Sequence, residues 1–504
     1  MASLKSLAGQ TIWYGLSTIA ARFLGYLQTP IVTYLLVNQQ GREAYGDFSV
    51  LYAGISLANI LFTYGMETAF FRFASTGTDK QKLFRTSFGS LLVSTILLSI
   101  AFILFRQPIA HFIDMDRHPE YITWCVIIIA LDALSTVPFA RLRQQGRPKK
   151  YAAIRIASII VNLALVVFFI YFSQKYAKQH PGSWYTTWYN SHSKAGLLLL
   201  PNLVQSAFTF LLLFNEWRDF RFPIDKELWL KLWRYGSPMI ITGLGGMVNE
   251  TMDRIMLLKL HAGTVSAAKS DVGIYSANYK IAIFITLFIQ AFRMGAEPFF
   301  FNQSTDKNAP KTYARVMKWF VITLCAAFLF SALYLDLWKY MIGVDYRGGL
   351  GVVPILLAAN VCLGIYYNLS VWYKITDNMR KGTIITLMGA AITLVINFAF
   401  IPRFGMYACA WATFACYFAM MVVSYAWGQK YFPVPYARKK LLSYLAVMLL
   451  LFAAQKGVTL LTHIIIVRFI SGSVLMLLFL ALVVKVEKEE IGKMPFVGKF
   501  VRKM

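Results

Sequence analysis

The sequence is short of charge, and of acidic residues above all. Only 14% of its 504 residues are charged, with 23 Asp and Glu against 50 Lys and Arg. Soluble domains carry roughly 25% charged residues, so an ordinary water-facing surface is excluded. Cysteine is scarce too. Cys125, Cys325, Cys362, Cys409 and Cys416 all fall in apolar stretches and form no C-x-x-C pair, which favours small buried side chains over disulfides or zinc. The six histidines are scattered singly, without an H-E-x-x-H. No Walker A sequence, nucleophile elbow or loop large enough for a nucleotide domain is present. No metal, cofactor or bond-making chemistry is therefore expected.

What the chain has is apolar length. Hydrophobic residues make up 58% of it and aromatic residues 16%, and the mean hydropathy is +0.55. A membrane-spanning helix needs about 20 mostly apolar residues. Windows of that size place spans near 11–36, 46–71, 84–105, 119–140, 151–172, 196–215, 236–260, 273–296, 312–335, 351–373, 382–401, 405–427, 440–456 and 462–484. The expected fold class is an all-α polytopic membrane protein of about 14 transmembrane helices. The first apolar stretch runs on to Val37, too long for a signal peptide, and is expected to be retained as a span.

The net charge of +27 would suggest nucleic acid in a soluble protein. Here the basic residues sit in short loops between spans and report orientation instead. The N-terminus, the connections after even-numbered spans and the C-terminal tail hold about 31 of the 50 Lys and Arg. Connections after odd-numbered spans hold about 12. Both ends are expected in the cytoplasm, and no nucleic-acid partner is expected.

Between spans six and seven lies EWRDFRFPIDKELWLKLWRYGSP. Trp229 and Trp233 share a helical face there, flanked by Lys226, Lys231 and Arg234, which suits a helix lying in the membrane interface. The expected organisation is a six-helix bundle over 1–215, a cytoplasmic linker over 216–235 and a second six-helix bundle over 236–430. Two additional helices and a basic tail would follow over 431–504. A faint repeat agrees with this, because IIVNLAL at 159–165 and LVINFAF at 394–400 fall in spans five and eleven. Repeated halves with a site between them are a common transporter design.

Ionisable groups within spans are functional candidates by default. Arg22 lies near the middle of span one. Span seven carries Asn249, Glu250, Asp253 and Arg254. Glu250 and Arg254 stand i,i+4 and can neutralise each other, which leaves Asp253 in need of another partner, with Lys280 of span eight the candidate. Arg254 and Lys280 each lie roughly 10 Å from the outer end of their spans. One reading makes these groups a mixed-charge cavity wall, with cations gripping an anion and acids carrying coupling protons; the other makes them a static network. Asp132, in the middle of span four, either has a pKa raised for proton coupling or is held by nearby Ser and Thr hydroxyls. Glu67 and Arg72 lie near the cytoplasmic end of span two, where Arg72 can snorkel.

Four stretches carry a family likeness: ARFLG at 21–25, YGMETAFFR at 64–72, VPFARLRQQGRPKKYA at 137–152 and IPRFGMYACAWAT at 401–413. On these the chain resembles the Wzx-type flippases of lipid-linked oligosaccharides, in the superfamily that also holds the MurJ lipid II flippases and the MATE exporters. The resemblance implies two pseudo-symmetric six-helix bundles plus two C-terminal helices in a bacterial cytoplasmic (inner) membrane. It implies alternating access for an undecaprenyl-pyrophosphate-linked glycan of the O-antigen or capsule type, beside membrane lipid and polymerase or ligase machinery. Arg22 matches the first arginine of an R-x-L-G-x-x-R pattern in the lipid II branch, whereas Gln28 replaces the second. Arg22, Arg254 and Lys280 are thus the expected pyrophosphate contacts and Asp132, Glu250 and Asp253 the ion-coupling candidates. Gln28, Glu67, Arg72 and Asn249 are the expected cavity lining. The rival readings are a lipid II flippase, a MATE-like cation-coupled drug exporter and a membrane polymerase or ligase.

Overall fold

The computed structural model describes residues 23–75, 77–222, 224–303, 306 and 308–492. Among them every regular element is a helix. The long apolar runs leave no alternative, since a spanning segment has to satisfy its own backbone hydrogen bonds. The elements named below are α1 (Gln28–Leu35), α2 (Asn38–Thr63), α3 (Met66–Ala74), α4 (Lys80–Leu104), α5 (Glu120–Gln144) and α6 (Pro148–Val167). They continue with α7 (Lys194–Leu212), α8 (Lys226–Gly236), α9 (Pro238–Leu260), α10 (Val265–Ala282), α11 (Phe284–Gln303) and α12 (Ala309–Leu333). The last five are α13 (Val353–Leu369), α14 (Met379–Phe404), α15 (Met406–Tyr431), α16 (Arg438–Leu461) and α17 (Ile465–Val486).

Eleven helices of the described residues are long and apolar enough to cross a membrane, or twelve when the bent pair α10–α11 counts as one span. The chain is a multi-pass membrane protein. Two expected spans stand outside that count. The first half of span 11–36, up to residue 22, lies outside the described residues. Span 236–260 forms the helix α9, but Glu250, Asp253, Arg254 and Lys259 make it more polar than its neighbours.

The chain packs as two compact units. One holds the described residues up to Ala277 together with Ile342–Gly349 and Thr386–Ala412; the other holds the described residues of Asn278–Met341, Leu350–Ile385 and those from Thr413 on. In the first unit, α7 packs against α2, α5 and α6, and α4 packs on α5. Several helix starts are written in the sequence. The Asp79 carboxylate accepts from the Lys82 amide at 2.6 Å, and the Asp225 carboxylate accepts from the Leu228 amide at 2.7 Å. Each satisfies an amide that the first turn would leave unpaired. Pro148 opens α6, where its missing N–H costs nothing.

The expected span 46–71 lies within the single span Asn38–Ala74, whose helix is interrupted part-way. Tyr64 (φ 32°) and Gly65 (φ 72°) both take the left-handed conformation and separate α2 from α3. A Cβ on Gly65 would stand 2.9 Å from the Gly236 carbonyl oxygen, so the close approach of α8 requires glycine there. The amphipathic α8 buries Leu228 and Leu232 in a core with Tyr64, Met66, Phe70 and Phe84. The Trp229 indole N–H donates to Ser90 Oγ at 2.8 Å.

Near its start α2 crosses α10 with backbones in contact. Cβ atoms on Gly46 and Gly273 would lie 1.9 Å and 2.2 Å from the carbonyl oxygens of Lys269 and Arg42. Small residues permit such crossings in membranes. Asp47 and Lys269 pair beside this one at 3.0 Å.

In the second unit α12 is the central helix, packed by α11, α13, α16 and α17. Only 17% of the apolar window of α16, and likewise of α17, is buried by protein, so these two helices present their sides to lipid. None of the five cysteines forms a disulfide, and all are buried.

Candidate functional site

The site forms where proline, asparagine and the broken helix coincide in the first unit. Pro138 interrupts α5 and Pro201 interrupts α7, and each removes one helical hydrogen bond. Beside Pro201, the Asn202 side-chain Nδ2 donates to the Leu198 carbonyl at 2.8 Å. Its side-chain oxygen accepts from the Tyr52 hydroxyl at 2.6 Å and from Asn162 Nδ2 at 3.1 Å. Three helices are thereby tied into a polar floor. Asn162 is the asparagine of the IIVNLAL repeat. Its counterpart Asn397 is fully buried and finds no side-chain partner among the described residues.

Above that floor is a cavity of about 680 Å³, walled by α2, α3, α5, α6 and α7. Its charged lining is Glu67, Asp132, Arg143 and Arg155. Asp132 is enclosed by protein yet open to solvent, as a residue facing an aqueous cavity should be, and Ser206 and Arg155 face it. Arg143, roughly 16 Å further along α5, forms an ion pair with Glu67 at the α3 end and stacks 4.6 Å above the Phe71 ring. Arg155 lies over Phe139 at 4.3 Å and near Tyr151 at 5.8 Å. Its guanidinium makes no hydrogen bond or ion pair among the described residues. Stacking of this kind fixes the guanidinium plane and leaves its N–H edge free for oxyanions.

The sequence-derived candidates divide. Asp132 and Glu67 line this cavity. Arg72 is exposed at the end of α3, outside it. Span seven is arranged differently from the expectation. Arg254 does not reach for the Glu250 carboxylate: its Nη1 contacts Asp253 Oδ1 at 3.0 Å and donates to the Glu250 carbonyl at 2.8 Å. Asp253 is buried and takes its second bond from the Tyr275 hydroxyl at 2.6 Å. Its partners are thus Arg254 and Tyr275. The adjacent pairing wins because α9 turns Asp253 into the protein, whereas Glu250 points to solvent. Asn249 is buried and donates to the Thr386 carbonyl at 3.3 Å. Lys280 is half-buried in the second unit and Gln28 is half-buried in α1. Arg22 lies outside the described residues.

Residues 7–304, more than half of the chain, match the family described as "Polysaccharide biosynthesis protein". The chain belongs to that family. No curated protein matches it significantly. Among solved structures, this family member resembles a lipid II flippase MurJ in an inward closed conformation, with 13% identity, a TM-score of 0.70 and coverage of 94% of this chain and 99% of that one. It also resembles an inward-facing MATE multidrug transporter of the MOP superfamily, with 14% identity, a TM-score of 0.63 and coverage of 81% and 94%. An outward-facing MATE structure matches with 13% identity, a TM-score of 0.58 and coverage of 84% and 95%. The polysaccharide biosynthesis protein described here therefore has the helical fold shared by those transporters.

Arg143 and Arg155 escaped the sequence reading as site residues. Both belong to the basic stretch around the 141–150 loop, which reads as an orientation signal. What marks Arg155 is its distance of seven residues past Pro148, roughly 10 Å into α6. Tyr151, one turn earlier on the same face, is the sequence signal that could have found it.

Proposed function

We propose that this polysaccharide biosynthesis protein is a flippase, which carries a polyprenyl-pyrophosphate-linked oligosaccharide across the cytoplasmic membrane by alternating access. The two six-helix bundles, 1–215 and 236–430, exchange access, and 431–504 contributes the two appended helices and the basic cytoplasmic tail. The observation that carries the reading is Arg155, a pre-oriented guanidinium that makes no ion pair among the described residues and lines a polar cavity. A pyrophosphate diester is the charged part of such a substrate and cannot cross hydrocarbon bare. Arginine offers it paired N–H donors in the geometry of two oxyanion atoms. Arg143 becomes a second donor when Glu67 releases it, and Arg22, Arg254 and Lys280 remain contacts for other states of the cycle. Asp132, facing Arg155, is placed to take a proton as the anion leaves. The polyprenyl tail stays in lipid, and no covalent bond is made or broken.

The test is flipping of a labelled undecaprenyl-pyrophosphate oligosaccharide in proteoliposomes, beside organic-cation efflux from the same vesicles. Glycan-lipid transport without cation efflux is the expected result. Cation efflux without glycan-lipid transport would overturn the reading in favour of a drug exporter.

A further inference from the structure

A second cavity, of about 300 Å³, lies within the second unit where α12 ends and α16 and α17 meet. That is roughly ten waters' worth of space, enough for a phosphodiester headgroup. Its charged lining is Asp336, Lys339, Lys456 and Arg468, three cations against one carboxylate. Asp336 already holds Lys339 at 2.7 Å and Arg468 at 3.3 Å. Arg468 is fixed further by donating to the Thr462 and Thr459 carbonyls, both at 2.8 Å. These are the carbonyls that the end of α16 leaves without helical partners. The Lys456 ammonium makes no hydrogen bond or ion pair among the described residues. The remaining wall mixes apolar Leu335, Phe452 and Leu460 with polar Gln455 and Thr459.

Depth decides what such a pocket meets. Lys456 stands five residues before the end of α16, roughly 8 Å inside it, and Arg468 three residues into α17. Both helices are sheathed by lipid along most of their length. A lysine so placed brings its ammonium to the headgroup layer while its stem stays in hydrocarbon. A snorkelling anchor would need only the open surface; here the ammonium borders a concave, cationic pocket that also offers Gln455 and Thr459.

We propose that this pocket binds the phosphate of an anionic phospholipid, with Lys456 as the ion-pairing contact and Arg468 as a rigid second donor. Basic pockets between transmembrane helices recognise lipid headgroups through the same chemistry. The inference concerns the protein's lipid surroundings, so it stands or falls separately from the transported substrate.

Native mass spectrometry of the full chain, titrated with phosphatidylglycerol or phosphatidylethanolamine, tests it. The wild type should retain phosphatidylglycerol preferentially. Lys456→Gln should weaken that retention roughly fivefold and Lys456→Arg should restore it, with all three proteins melting alike because Lys456 is exposed. Equal retention by wild type and Lys456→Gln would overturn the proposal. So would equal retention of the two lipids by the wild type. Thermal protection by inorganic phosphate, with no preference between the lipids, would make this a soluble-anion site and equally overturn the lipid assignment.

Discussion

The guanidinium carbon of Arg155 lies 4.3 Å above the ring centroid of Phe139. Phe139 sits on α5, one residue past Pro138, and Arg155 sits midway along α6, so two helices cooperate to hold one cation. An exposed arginine would sample many rotamers and lose their entropy on meeting an anion. A stacked one has already lost much of it, and its N–H edge stays available. This is why a cavity lined by only four charged side chains is a credible place for a pyrophosphate.

Asp132→Asn should leave substrate binding in place and abolish the response of flipping to an imposed proton gradient. The substitution removes the titratable group facing Arg155 and keeps its shape. Flipping assays at fixed membrane potential, with and without a pH difference, measure this. An unchanged response would move coupling to Glu250, which is exposed, or to Asp253, which would first have to leave Arg254 and Tyr275.

Gly46→Ala should separate α2 from α10, because its Cβ would be built 1.9 Å from the Lys269 carbonyl oxygen. The backbone cannot yield without moving a helix, and overpacking of this kind costs about 1–3 kcal/mol. Melting of the purified protein in detergent should show that loss. A melting temperature equal to wild type would mean that the crossing is looser than the structure shows.

Most of the fold was legible because hydrocarbon permits so few solutions. Apolar runs of about 20 residues have to be helices, and the windows at 84–105, 119–140 and 196–215 fall on α4, α5 and α7. The break at Tyr64–Gly65 was not legible. A glycine inside an apolar run is common, and only the backbone of Gly236 pressed against it shows why the helix stops there. The site was half legible. Charges within spans are conspicuous, so Asp132 and Glu67 stood out, but a string of residues does not say which way each faces. Arg254 sits four residues after Glu250 and yet pairs with its neighbour Asp253, which α9 happens to turn inward. Arg155 was hidden by its company, since the lysines and arginines just before it already had an explanation.

Lys318 and Glu487, 2.5 Å apart, fasten α12 to the end of α17. Glu487 is buried and also accepts from the Tyr444 hydroxyl at 2.9 Å. Burial alone would raise the Glu487 pKa, but its bonds to Lys318, Tyr444 and Lys440 outweigh burial and hold it below the ordinary value of 4.5. A depressed carboxylate stabilises fully above its unfolded pKa, and that contribution is lost as the pH falls through the folded one. The melting temperature of the wild type should therefore drop as the pH falls from about 5 to about 3. Glu487→Gln, which loses charge-assisted hydrogen bonds, should be less stable at neutral pH by about 2 kcal/mol and show a flatter acid limb. Parallel acid limbs would show that the pair contributes nothing to stability.

The most direct measurement compares wild type and Arg155→Ala for flipping of labelled undecaprenyl-pyrophosphate oligosaccharide, at equal reconstituted protein and with melting curves taken alongside. Loss of one charge-assisted contact to the pyrophosphate predicts a rate lower by roughly tenfold or more, with melting lowered only by the lost stacking on Phe139, about 1 kcal/mol. Wild-type flipping by Arg155→Ala would contradict the account, because the cavity would then lack its anion-gripping role.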